Sequence, residues 1–311
     1  MTNTLVIDTS YGSTVGVVGY EPVIERDSRT HVERLQVDIG TATSRAGLQP
    51  SDIERIVVGV GPAPFTGLRA GIVTAKALAF ATGAELLGQD ILSVQAGMMA
   101  AHRHGEFSFP KTAELLTLGR QEALPSSASS ADVSYVTLAV NDARRRQLYF
   151  TVMTGADDAA SYQSRTAGDV LIDMDIDYPQ RIAERVGEAV RQRDNRLGTH
   201  TAVDIVGHGA AKYAACWSTL SRLGLVLDTS VLDMGAHGLA WYANYAHSDR
   251  GTMHAGKGNG SHGDRVADSR TRRRAVSPAD TVEPLYLRRP DVSVPNPLKH
   301  VLHHAGADRA E

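Results

Sequence analysis

The chain has 311 residues, 42% of them hydrophobic, and a formal charge of −3, enough length for two ordinary domains and no general attraction to nucleic acid. Any contact with RNA is then local or shared with a partner. The single cysteine, Cys216, excludes an internal disulfide and a multi-cysteine metal site, as suits a reducing compartment.

Residues 4–8 form a short apolar strand, 13–20 a second rich in Val and Gly, and 22–26 a third, a succession that suggests a meander. The chain enters the first strand without a basic region, an extended apolar core or a small-residue cleavage site, so a cytoplasmic protein is expected. From Ser28 the period changes. Val32, Leu35, Ile39, Ala42 and Ala46 recur at helical spacing, and Gly47 closes that helix. A buried strand over 53–60, a helix over 66–82 and a short strand over 85–88 complete the first third. The most apolar long stretch, 68–81, is interrupted by Arg69 and Lys76 and is too short for a bilayer, so no membrane contact is expected.

The junction from Gly59 to Arg69 is the most informative stretch. Gly59, Gly61, Pro62 and Pro64 make the turn sharp, and Thr66 is placed to cap the helix that follows. Such a helix start suits a phosphate, a partner protein or plain packing. Along that helix Leu68, Ile72, Ala75 and Ala79 line one side and Val73, Ala77 and Phe80 another, so it is apolar nearly all round and needs cover all round.

A strand, an aspartate, a turn and a strand recur downstream. Residues 133–140 end in Asn141-Asp142, a basic turn follows at Arg144 to Arg146, and 148–153 return. Helices are expected over 179–193, 210–223 and 236–247, with a strand over 203–207. Two related halves of this kind form an α/β, actin-like (ASKHA, ribonuclease H-like) two-lobed fold. The expected organisation is an N-terminal lobe over 1–103, a Ser/Ala/Pro-rich linker or insertion over 104–132, a C-terminal lobe over 133–250 plus 280–291, a basic insertion over 251–279, and a tail over 292–311. The insertion has almost no apolar residues and is expected to be disordered, though Arg270 and Arg272 to Arg274 could touch phosphates.

Five groups of residues together resemble the TsaB (YeaZ) family of the TsaD/glycoprotease-like (Gcp) superfamily. They are Ile7-Asp8-Thr9-Ser10; Asp27-Ser28-Arg29 with His31 and Glu33; Gly59-Val60-Gly61-Pro62 with Phe65-Thr66-Gly67-Leu68-Arg69 and Lys76; Asp142-Ala143-Arg144 with Tyr149; and Pro284-Leu285-Tyr286-Leu287-Arg288. One departure stands in the turn, where the family reads Gly-Pro-Gly-Ser-Phe-Thr-Gly and this chain has Ala63 and Pro64. The resemblance implies a non-catalytic partner of TsaD, assisted by the ATPase TsaE. TsaD transfers a threonylcarbamoyl group, made by TsaC from threonine, bicarbonate and ATP, to the adenosine beside the anticodon of tRNAs that read codons starting with A. It also implies no cofactor of this chain's own, ATP and metal belonging to the partner proteins, and tRNA reached through the complex. TsaB proteins pair through the helices over 29–46 and 66–82, with TsaD or as a homodimer, so Val32, Leu35, Ile39, Leu68, Ile72, Ala75 and Ala79 are the expected interface. Gly59, Gly61, Pro62, Phe65, Thr66, Gly67 and Arg69 form its mount.

Two other readings remain open. Asp8 ends its strand where actin-like ATPases hold a metal-associated carboxylate, which makes Asp8 and Arg144 candidate contacts to nucleotide or tRNA. The turn after Asp8 has a bulky Tyr11 and only Gly12, however, where a phosphate hairpin needs close backbone approach. A metallopeptidase needs histidines one helical turn apart, whereas His31 and Glu33 stand at i and i+2 and point to different faces. His208, between Gly207 and Gly209, reads as a loop residue, and His303 and His304 fall in the tail; no metal ligand is assigned.

Overall fold

The computed structural model describes residues 2–27, 31–110, 115–116, 133–154, 170–248 and 282–287. The insertion over 251–279, the tail over 292–311, Ser28, Arg29 and Arg288 of the family motifs and the His31 side chain lie outside the described residues. The first sheet contains β1 (Thr4–Asp8), β2 (Ser13–Val17), β3 (Val23–Glu25), β4 (Arg55–Gly61) and β5 (Glu85–Asp90) in the order β3-β2-β1-β4-β5. β1 is antiparallel to β2 and parallel to β4, and β4 is parallel to β5. The second sheet contains β6 (Leu115–Leu116), β7 (Val133–Asp142), β8 (Leu148–Thr154), β9 (Val170–Asp177), β10 (His200–Val206) and β11 (Leu223–Leu227) in the order β6-β11-β10-β7-β8-β9. Apart from β6, it repeats the first sheet strand for strand: β7 is antiparallel to β8 and parallel to β10, which is parallel to β11. The duplication extends to register, since Asp8 faces Thr14 across the first hairpin and Asp142 faces Leu148 across the second.

Strand alternation distributes the helices α1 (His31–Arg45), α2 (Phe65–Thr82), α3 (Ile91–Arg103), α4 (Pro179–Leu197), α5 (Ala214–Trp217) and α6 (Gly235–Ser248). Leu5, Ile7, Ile56 and Val58 pack against Leu35, Ile39, Leu68 and Ile72 of α1 and α2, on the outer face of the first sheet. Val6 and Val57 point the other way, into a core shared with α3, α6 and Ala139 and Val206 of the second sheet. Leu138, Phe150 and Ile205 pack under α4 and α5 on the far side. α3 and α6 are thus the common layer between the lobes.

Several sequence expectations change here. α3 was not expected, yet its residues from Ile91 to Ala101 are all buried, and the Asp90 carboxylate caps it by accepting from Ser93 N–H at 2.6 Å. The helix covered all round is therefore α3 and not α2. β9 and β11 were also missed. The expected helix over 210–223 is reduced to the four-residue α5, because side chains compete with the helical ladder: Asp228 accepts from the amides of Gly209 and Ala211, and Trp217 Nε1 donates to Ala210 O at 2.8 Å. The described part of 104–132 is not outside the cores, since Phe107 is buried in the central layer and β6 pairs with β11. Residues 282–287, expected in the C-terminal lobe, pack on the first: Val282 lies in its core, Leu285 N–H donates to Val60 O at 2.8 Å, and Lys76 pairs with Glu283 at 3.5 Å.

Candidate functional site

The end of β1 meets the second lobe at a buried polar cluster. Asp8 Oδ1 accepts from Ser10 N–H at 2.8 Å and from the Ser10 hydroxyl, so the side chain caps its own turn. The Tyr242 hydroxyl, on α6, stands 2.9 Å from Asp8 Oδ2 and 3.0 Å from Gln89 O. Burial pushes the Asp8 carboxyl up from the ordinary carboxylate range, against the Ser10 and Tyr242 hydrogen bonds and the nearby His208 that pull it down. Tyr242 is pushed well up too, by burial and then by Asp8. The Tyr242 hydroxyl thus ties the end of β1 to the backbone of β5 at Gln89. Gly59 completes it from β4, because a Cβ there would overlap the Asp8 carboxyl.

The mouth of the interlobe cleft is closed by this chain's own side chains. Tyr11, at the tip of the first hairpin, stacks on His208 with ring centroids 3.9 Å apart. His208 Nε2 lies 2.6 Å from Asp233 Oδ2, and Asp233 Oδ1 accepts from Arg26 at 2.9 Å. Asn141 Nδ2 donates to Ser10 O at 3.4 Å, joining the two equivalent hairpins directly. Asp8, Ser10, Tyr11, Arg26, His208 and Asp233 line what pocket remains. In the second lobe Asp142, the counterpart of Asp8, is paired with Lys212 at 2.8 Å, and Arg144 is exposed on the hairpin tip.

The Gly59 to Arg69 junction is a sharp turn from β4 into α2. Gly61 has φ 104°, and the Gly61–Pro62 peptide is cis. Ala63 is buried in the outer core, which accounts for one departure from the family motif. Pro64 accounts for the other: it holds the N-cap position, and its carbonyl accepts from Leu68 N–H at 3.2 Å. Thr66 is consequently not the cap; it lies inside the helix and is exposed. Gly67 is buried, and Gly71 lets the helix approach Thr9. The Arg69 guanidinium carbon lies 4.0 Å over the Phe65 ring and its Nε donates to the Tyr286 hydroxyl at 2.8 Å, so Arg69 clamps the returning segment.

The two helix faces divide sharply. Leu35, Ile39, Leu68, Ile72, Ala75 and Ala79 are all buried against their own sheet, and Val32 is half-buried. In this chain these side chains are core. The exposed apolar side chains on α2 are Val73 at 64%, Ala77, Phe80 at 93% and Ala81, spaced i, i+4, i+7 and i+8 on one stripe; Val37 on α1 is exposed at 61%. Sequence reasoning separated the two sides of α2 and expected contact on the side that the structure buries against the sheet. Among the described residues, no group of three or more His, Cys, Asp and Glu side chains is placed to hold a metal, and no helix is long and apolar enough to cross a membrane.

The duplicated sheets around a shared helical layer define an actin-like two-lobed protein, one whose cleft is filled from within. Residues 16–144 match the family model of TsaD: tRNA N6-adenosine threonylcarbamoyltransferase. A tRNA N6-adenosine threonylcarbamoyltransferase of Geobacillus thermodenitrificans is 34% identical over 102 residues, 33% of this chain and 29% of that one. An uncharacterized protein of Mycobacterium tuberculosis is 33% identical over 153 residues, 47% of this chain and 56% of that protein. The solved structure of YeaZ from Pseudomonas aeruginosa aligns with a TM-score of 0.48 at 17% identity, covering 92% of this chain and 100% of that one. Over residues 16–144, then, the chain is similar to the TsaD family. It spans little more than half the length, 56%, of that mycobacterial protein.

Proposed function

We propose that this chain acts in tRNA threonylcarbamoylation as a non-catalytic partner of TsaD, pairing through the outer face of α1 and α2. The observation that carries the reading is the exposed stripe of Val73, Ala77 and Phe80, on a helix fixed to the sheet by its other side. A Phe exposed at 93% has most of its ring in water, and a partner surface that covers it gains about 1.5–3 kcal/mol for that side chain alone. Gly83, which ends α2 with φ 75°, keeps the stripe short and rigid. Covering this face would favour one arrangement of the TsaD lobes, with TsaE, ATP and tRNA engaged by the assembled complex in the cytoplasm. A second copy of this chain could cover the same face when TsaD is absent.

The sealed cleft supports a supporting role over the independent ATPase or kinase reading. Two phosphate hairpins can share a nucleotide only if they stand apart, whereas here they are joined by Asn141 and Ser10 and bridged by Tyr11 and His208. The test is co-purification of this chain with tagged TsaD, for the parent and for Val73→Glu and Phe80→Glu. Both positions are exposed, so folding should be retained, and retention on TsaD should drop at least tenfold. Undiminished pairing by both folded variants would rule out this face, and tRNA modification by the chain without TsaD would rule out the role.

A further inference from the structure

The second hairpin carries a feature that neither the fold nor helix pairing uses. Its tip is three consecutive arginines, Arg144, Arg145 and Arg146, all exposed, in a chain whose formal charge is −3. Arg145 and Arg146 adopt φ 65° and 61°, a left-handed conformation that ordinarily selects Gly or Asn. The turn is closed by Ala143 N–H donating to Gln147 O at 2.9 Å, so the arginines stand on a fixed support between two strands. Beside them Lys212 pairs with Asp142, and the nearby Asp228 is engaged by two backbone amides. The carboxylates around the turn are therefore committed elsewhere. Arg144 and Arg146 have no ion pair among the described residues.

We propose that the turn between β7 and β8 is an RNA-backbone contact, with the guanidiniums of Arg144 and Arg146 binding phosphodiester oxygens of tRNA. Guanidinium matches phosphate geometry and keeps its charge at every accessible pH. A free nucleotide fits less well, because the pocket behind the hairpin is closed by Tyr11 on His208 and the arginines face outward. The identity of the polyanion rests on the function proposed above. The placement of the contact on this chain goes beyond that reading.

The test measures binding of a fluorescein-labelled, unmodified tRNA transcript to the full chain by anisotropy across a salt series. Each phosphate contact adds close to one unit to the slope of log affinity against log salt, so Arg144→Gln/Arg146→Gln should lower that slope by about 1.5. Arg181→Gln/Arg196→Gln removes the same charge from exposed positions on α4 and should leave the slope unchanged. Equal losses in both double variants, or no tRNA binding by the parent chain, would overturn the proposal. So would displacement of tRNA by Mg-ATP, which would mark a mononucleotide site. Co-purification of Arg144→Gln/Arg146→Gln with TsaD should be undiminished, since the turn belongs to the second sheet whereas α1 and α2 pack on the first. The partner reading and the RNA contact can then fail independently.

Discussion

Replacing Asp8 with Asn tests whether the β1 carboxyl is a neutral structural acid or a charged ligand group. Asn has the same shape, keeps Oδ1 as acceptor for Ser10 N–H at 2.8 Å, and places an uncharged amide where Oδ2 faces Tyr242. Asp8 is raised by burial, so the native state holds its proton more tightly than the unfolded chain does. Its contribution to stability is therefore fully favourable below the unfolded pKa and declines as pH rises towards the folded one. At neutral pH the carboxyl either stays protonated or is ionised at a cost, and each unit of upward shift corresponds to about 1.4 kcal/mol. Asp8→Asn should leave stability unchanged or raise it at neutral pH, and should flatten the fall in stability as pH rises above the ordinary carboxylate range. Urea unfolding followed by near-ultraviolet circular dichroism at a series of pH values reads both quantities. A loss of more than about 3 kcal/mol would refute the reasoning, because it would mean that the site depends on a full negative charge. Asp8→Ala, which also abandons the Ser10 bonds, should cost about 2–3 kcal/mol and serves as the contrast.

Two further outcomes follow from charge pairs that join elements distant in sequence. Asp204 is buried and receives a two-point contact from Arg103 of α3, whose guanidinium also lies 3.9 Å over Tyr135; Arg103→Ala should cost about 3–5 kcal/mol in the same assay, with partial recovery in Arg103→Ala/Asp204→Asn. An unchanged midpoint in the single variant would show that the pair is dispensable. Burial tends to raise Asp233, but the bond from His208, the Ser230 amide and the charge of Arg26 hold its carboxyl below the usual range. Its stabilisation is therefore present above the ordinary carboxylate pKa and lost as pH falls through the lower folded value. Asp233→Asn should lose stability at neutral pH and show a shallower acid limb, and a parallel limb would place acid sensitivity elsewhere.

Much of the fold was legible because it follows local rules. Gly47 ends α1, and the meander, the pair of strand-Asp-turn-strand units and α2, α4 and α6 all follow from periodicity and turn chemistry. The elements that escaped owe their form to distant partners. Residues 210–223 have helical composition, but Asp228 and Trp217 claim the backbone groups a longer helix would use. Thr66 has the right side chain for a cap, but Pro64 already begins the helix.

The sequence by itself determined where the apolar sides of each helix lie, that two similar lobes exist, and that the Gly59 to Arg69 turn is sharp. Periodicity and glycine or proline backbone limits act within a few residues, and they are written in the chain. Only the tertiary structure decided which apolar side is covered. It turns Leu68 and Ile72 onto the sheet, leaves Val73 and Phe80 outside, buries α3 between the lobes and seals the cleft with Tyr11, His208 and Tyr242. Burial depends on which surfaces meet across long separations in sequence, and one amphipathic period is compatible with either side being the one that docks.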